Sequence, residues 1–200
     1  MHPNPAFRTE RYDGLRSFAA DIGFGMLFAA TPDGPRVVHV PFVFLDDERI
    51  GFHTARGNPI TKHLDGADGL LVVNGPDGYI SPDWYGIDDQ VPTWNYVTLE
   101  LSGPVRRMDE DGLVAQVDML SAEREARLLP KPVWKRDKMT PGHFDKLLRG
   151  IYGFEMSITD WQSTVKLGQH KQADVRAAAA DGVAAAGNKA LAELMRNPPA

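Results

Sequence analysis

The segment His53–Ile60, HTARGNPI, brings a hydroxyl, a guanidinium and a carboxamide together at Thr54, Arg56 and Asn58, with Lys62 one helical turn further on. Asn58 followed by Pro59 is a helix-start signal: the carboxamide caps free N–H groups, and proline is preset for the first turn. Backbone N–H groups at a helix start favour an anion, and a nearby arginine adds paired donors that match a phosphate. The chemistry these residues could perform is capture of a phosphate-like anion. A capped helix carrying a solvated Arg and Lys is the simpler description, and the residues alone leave it standing.

A second concentration lies in Gly75–Gly103, where Tyr79, Trp84, Tyr85, Trp94 and Tyr96 sit among prolines, glycines and acids. Such rings either pack over a core or fold over a flat ligand, and composition favours the core. Within the stretch, Thr93, Trp94 and Asn95 supply a hydroxyl, an aromatic plane and an amide. A core tryptophan with loop-bound polar neighbours fits them as well as a ligand does. His39 lies in the apolar run VVHVPF, where a hydrogen-bonded structural histidine is the expectation. The six histidines form no HExxH or close acid–imidazole cluster, so no metal site is expected. GxSxG, phosphate-loop and GxGxxG patterns are absent, and Asp77, Asp83, Asp88 and Asp89 read as loop solvation. No catalytic residue is assigned.

Two hundred residues, 42% apolar and 24% charged, suit a single soluble globular domain with a substantial core. A formal net charge of −5 argues against a global nucleic-acid field, although a local basic patch stays possible. There is no cysteine, and no apolar run of membrane-spanning length or signal-like N-terminus; the expected location is the cytoplasm.

The elements that must position these groups follow from periodicity. A helix is expected over 12–22, stopped by Gly23, then strands over 25–30, 36–45 and 49–54. A short helix is expected over 58–64, capped by Asn58, then a strand over 70–74. Val97, Leu99 and Leu101 alternate with polar residues as a half-buried strand, which Gly103-Pro104 should break before Val105–Met108. A helix capped by Asp109 or Asp111 should present Leu113, Val117, Leu120, Arg124 and Leu128 on one face. A helix over 142–148 and a last strand over 151–158 follow. The Ala-rich tail, interrupted by Gly182 and Gly187, offers few large side chains, so its helices should be marginal unless docked. Short strands with few intervening helices point to a β-barrel with flanking helices, an α+β class.

GPDGYISPDWY followed by VPTWNYVTLELSG, together with HVPFVF, HTARGNP, Gly153-Phe154-Glu155 and VKLGQHK, resembles the PaiB family of FMN-binding negative transcriptional regulators. The motifs occur in the family's order and cover roughly 1–174. The resemblance implies an FMN-binding split barrel of the pyridoxamine-phosphate-oxidase type, with 1–174 as the flavin domain and 175–200 as a helical tail. It implies that Thr54, Arg56, Asn58 and Lys62 hold the FMN phosphate, and that the Val38, His39 and Val40 strand reads the isoalloxazine rim. It further implies a homodimer in which Thr93, Trp94, Asn95, Lys166 and Gln169 approach the flavin. The family reads close to KLSQN where this chain has Lys166, Leu167, Gly168, Gln169 and His170, a change that bears on how tightly FMN is retained. A regulatory flavoprotein is the leading reading. A flavin reductase or oxidase, a haem-handling relative and a cofactor-free interaction module are the alternatives, and whether DNA is contacted directly is left open.

Overall fold

In a computed structural model of the chain, which describes residues 4–8 and 12–198, the expected first helix is α1 (Tyr12–Ile22). It stops at Gly23, whose φ of +59° is the left-handed geometry that glycine adopts without strain. Seven strands follow: β1 (Phe24–Thr31), β2 (Gly34–Phe44), β3 (Arg49–Ala55), β4 (Asp68–Ile80), β5 (Thr93–Arg107), β6 (Ile151–Ser157) and β7 (Asp160–Lys166). The remaining helices are α2 (Glu110–Ala126), α3 (His143–Leu148), α4 (Ala173–Ala185) and α5 (Lys189–Arg196). None is long and apolar enough to cross a membrane.

The chain divides into two compact units, and β4 and β5 contribute residues to both. One comprises Gly23–Val72 and Leu101–Asp160. Its strands run in the order β4-β1-β2-β3-β6-β5, and β4 also pairs with β5, closing a barrel. Antiparallel pairing sets Phe42 opposite Phe52 and Phe52 opposite Phe154, so three buried rings form one inward row. The Phe52 and Phe154 rings stack 5.6 Å apart. At about 25 cal/mol per Å² of buried apolar surface, rows like this one supply most of the barrel's stability. On the outside, α2 begins at Asp109, whose Oδ1 accepts from Gly112 N at 2.8 Å, and it buries Leu113 and Gln116.

The other unit comprises Met1–Ile22, Val73–Glu100 and Trp161–Ala200. Its core joins Ile80, Tyr85, Val97, Val165 and Leu167 to Ala179, Ala180, Val183, Leu191 and Met195 of α4 and α5. The Ala-rich tail therefore docks within its own chain. Its small residues let neighbours approach: a Cβ on Gly182 would lie 2.4 Å from Trp84 Cγ, so this glycine accommodates the indole inside α4 rather than interrupting the helix.

Four expectations are corrected. The helix expected over 58–64 is instead a turn leading into a single 3-10 turn, Thr61–His63, because the Thr61 hydroxyl turns back onto Ala55 and Thr54. β5 does not break at Gly103-Pro104; a Cβ at Gly103 would fall 1.7 Å from the Ser157 carbonyl oxygen, so glycine here permits a close backbone approach. The aromatic stretch is less loop than expected, since β4 continues through Gly75–Ile80. The strand over 151–158 is not the last, because β7 follows it.

Replacing Phe52 by alanine should cost about 3–5 kcal/mol in a chemical-denaturation measurement. Gly14→Ala, in α1 where an added methyl meets nothing within 4 Å, should instead stabilise by about 0.5–1 kcal/mol. Equal effects from the two substitutions would mean that the phenylalanine row does not carry the barrel.

Candidate functional site

The segment from β3 into the 3-10 turn separates its polar residues by direction. Thr54 points inward and is 3% exposed. Thr61 Oγ1 lies 2.9 Å from both the Thr54 hydroxyl and the Ala55 carbonyl; it donates to the carbonyl, which can only accept, and the Thr54 hydroxyl is free to donate back to it. Asn58 Oδ1 accepts from Ile60 N at 3.2 Å, an Asx-type tie that shapes the turn. Lys62 is exposed. Arg56 reaches toward β6, where its Nε donates to the Ile151 carbonyl at 3.3 Å and its Cζ lies 4.2 Å from the centre of the Tyr152 ring.

Sequence reasoning missed two residues here. Arg107 Cζ lies 3.7 Å from the same Tyr152 ring, and Arg107 N donates to Asp65 Oδ1 at 2.9 Å. Two guanidinium groups therefore pack on one phenol ring, and neither has a carboxylate within ion-pair distance among the described residues. Each stacking contact contributes roughly 0.5–2 kcal/mol, and a bound anion would relieve the repulsion between the two cations. Both line a cleft of about 510 Å³ with Arg149, Asp145 and the start of α2. The signal was present: Val97, Leu99, Leu101, Gly103 and Val105 form one inward series, and Arg107 is its next member. It was lost because Gly103-Pro104 reads as a strand break.

In β2, Val38 and Val40 are buried, while His39 is exposed and its ring lies near-parallel to Phe24 at 6.3 Å. β1 pairs with β2 from Gly34 to Pro41, whereas β3 pairs only with Phe42–Phe44. The stretch Val38–Val40 therefore has no ladder partner from β3. That is the backbone edge a flat, polar-rimmed ligand needs.

In the other unit, Lys166 Nζ donates to Thr93 Oγ1 at 2.6 Å, and desolvation by burial lowers the amine's pKa. Beside them Asn95 is 1% exposed, and its Nδ2 has no hydrogen-bond partner. An unsatisfied buried donor costs about 1–3 kcal/mol. Gly168, with φ of +77°, would hold a Cβ 3.8 Å from that amide nitrogen. Gln169 is an internal tie: Oε1 accepts from Leu167 N at 2.8 Å, and Nε2 donates to the Val165 carbonyl and, at 3.1 Å, to the Ala6 carbonyl. Trp94, half-exposed, faces the other way; its Nε1 donates to Asp77 Oδ1 at 2.9 Å and its ring meets Tyr79 edge-on. His170 packs against Phe7, and its pKa is lowered first by desolvation, then by Lys171 and Lys166. Thr93, Asn95 and Lys166 thus come together, with Gln169 holding the backbone beside them.

Residues 1–160 match the family described as "Putative FMN-binding domain". The chain belongs to this FMN-binding family, and FMN is its cofactor. It is 28% identical over 169 residues to the Bacillus subtilis (strain 168) protein named protease synthase and sporulation protein PAI 2, covering 82% of this chain and 80% of that one. This makes it PaiB-like, as the motifs imply. The FAD and heme binding protein from Mycobacterium smegmatis is similar in structure, with TM-score 0.55 and 16% identity, covering 80% of this chain and 73% of that chain. The flavocytochrome from Azotobacter vinelandii gives TM-score 0.58 and 15% identity, covering 83% and 72%. The likeness shows the fold, the expected split barrel with flanking helices. The donor set suits FMN: in the barrel unit the Arg56 and Arg107 guanidinium groups have no carboxylate partner among the described residues, and in the other unit the buried Asn95 amide lacks an acceptor beside the Lys166 amine, which bonds a neutral hydroxyl.

The depressed His170 pKa has a definite sign. The unfolded chain takes up that proton first, so the stability tied to neutral His170 is whole above about pH 6.5 and is lost as pH falls below it toward the folded pKa. An NMR titration should place the His170 midpoint below that of a free histidine, and His170→Asn should flatten the acid limb of the melting-temperature profile. A midpoint at or above the free value would mean that this cluster is neither desolvated nor electropositive.

Proposed function

We propose that this chain is a regulatory flavoprotein acting as a homodimer, with the FMN phosphate held where Arg56 and Arg107 pack on Tyr152. The carrying observation is that stack of two guanidinium groups, neither in an ion pair among the described residues, on the wall of a cleft that Asp109, Glu110 and Asp145 also line. Lys62 is close enough in sequence to add a third charge at the rim. Thr93, Asn95 and Lys166, contributed by the second copy of the homodimer, are donors for the acceptor-rich edge of the flavin, and the unpaired edge of Val38–Val40 suits its polar rim. Bound FMN supplies hydride and electron transfer at its isoalloxazine ring; the chain supplies binding, orientation and charge.

The homodimer reading draws on the outer face of the barrel. Met26 lies beside His39 and Val72, and Phe28 beside Val37 and Leu70, in cross-strand rows. Phe24 is 50% and Val37 44% exposed, an apolar patch of the kind that marks an interface. The regulatory reading draws on the family motifs and on the Bacillus relative, whose name couples protease production with sporulation. A second reading, a flavin oxidoreductase, is favoured by the desolvated Lys166 amine, a donor suited to stabilising charge on a reduced ring.

Arg56→Ala and Arg107→Ala should each weaken FMN at least about tenfold, since a hydrogen bond to a charged group contributes roughly 1.5–3 kcal/mol. Riboflavin, lacking the phosphate, should bind both variants as it binds the wild type. Unchanged FMN titrations in both variants would move the phosphate site elsewhere. Rapid bleaching of the bound flavin by NADH or NADPH would favour the oxidoreductase. A salt-sensitive shift of promoter DNA would favour direct regulation. Val37→Asp, placed on the outer apolar face, should convert a sedimenting dimer to monomer without lowering the melting temperature; a dimer that persists would exclude this face as the interface.

A further inference from the structure

Behind the arginine cleft lies a second cavity with different chemistry, which the flavin reading does not use. It measures about 470 Å³. Its walls are Val117 of α2, Trp134 and Met139 of the following segment, and Phe144, Leu147 and Leu148 of α3. Two aromatic side chains, a thioether and three aliphatic chains face one another across a space able to take a two-ring compound. Leu147 is 55% exposed and Trp134 38%, so apolar surface is left open to solvent rather than closed into a core.

The segment over this cavity is basic in a chain whose net charge is −5. Lys135, Arg136 and Lys138 follow Trp134 directly, with Asp137 the single acid among them. Arg136 lines the cavity, its Cζ 5.0 Å from the centre of the Phe144 ring. Its partner is Asp118, at 3.2 Å, in a pair whose side chains are 45% and 46% exposed. An ion pair so open to water holds its members weakly, and the guanidinium can exchange Asp118 for the charge of a ligand. An apolar floor beneath a guanidinium that already stacks on one ring matches a compound with an aromatic body and an anionic group.

We propose that this cavity is a second ligand site, for an aromatic carboxylate or sulfonate, with the ring among Trp134, Phe144 and Leu148 and the anion on Arg136. The occupant is not FMN, although Leu148 and Ile151 line both this cavity and the arginine cleft. That common wall is a route by which occupancy here would reach Arg56, whose Nε donates to the Ile151 carbonyl.

The test titrates the full FMN-loaded chain with 1-naphthalenesulfonate and, separately, with the neutral 1-naphthylmethanol. The methyl resonance of Met139, assigned by its loss in Met139→Leu, is the readout. Both probes should shift it saturably. Arg136→Ala should weaken the sulfonate about tenfold and leave the alcohol within about twofold. Ser121→Trp, which fills the cavity from α2, should abolish both shifts while the melting temperature holds. If that variant misfolds, Leu147→Glu serves instead and should weaken the sulfonate more than the alcohol. A resonance that does not saturate, or an Arg136→Ala loss equal for both probes, overturns the proposal. Displacement of the probe by excess FMN would make the cavity part of the flavin site. Loss of the dimer in Ser121→Trp would make it a surface covered by a second copy. Either result also overturns it.

Discussion

The row of Phe42, Phe52 and Phe154 is the constraint from which the barrel's chemistry follows. Side chains alternate along a strand, so burying this row fixes the faces of β2, β3 and β6 together. A slip of one residue would send the rings to solvent, at about 1.5–3 kcal/mol for each phenylalanine no longer buried. With the register held, Thr54 must lie opposite Tyr152 and Arg107 opposite Phe154. The guanidinium groups meet the phenol because the phenylalanines deeper in the barrel permit no other alignment.

Local charge and net charge point in opposite directions in this molecule. The chain is acidic overall, yet its unpaired donors are gathered at a few places. Arg56 and Arg107 pack on Tyr152, Lys166 bonds Thr93 beside the unsatisfied amide of Asn95, and His170 is held toward neutrality by burial and two lysines. Some acids are held by backbone or ion-pair contacts, Asp109 capping α2, Asp65 accepting from the Arg107 amide and Asp46 pairing with Arg49. Net charge sets long-range behaviour in solution, whereas binding depends on which charges lack a partner at short range.

Small residues do as much positioning as large ones. Gly103 lets β5 pass close to the Ser157 carbonyl, so the inward series reaches Arg107 without interruption. Gly182 gives the Trp84 ring a seat on α4, and Ala179 and Ala180 bring that helix close to its core. At each of these glycines a methyl group would collide with a neighbour that has little room to move, and the chain has no disulfide to compensate.

The sequence by itself determined what depends on neighbours along the chain. The period of apolar residues marked α1, the first three strands and α2, the α2 cap was narrowed to Asp109 or Asp111, of which the fold uses Asp109, and separated motifs pointed to the family and its cofactor. Tertiary structure decided what depends on residues distant in sequence. Gly103-Pro104 reads locally as a break, and only the approach of Ser157 explains why the strand continues. Asn58-Pro59 reads as a helix start, and only the turning back of Thr61 reduces it to a turn. The Ala-rich tail looks too weak to fold until Trp84, Ile80 and Leu167 supply the surface that its small residues fit. The meeting of Arg56 with Arg107 was illegible for the same reason. Arg56 stands out in its own segment and Arg107 extends the inward series of β5, but the ring that joins them comes from a third strand whose position is set by packing inside the barrel.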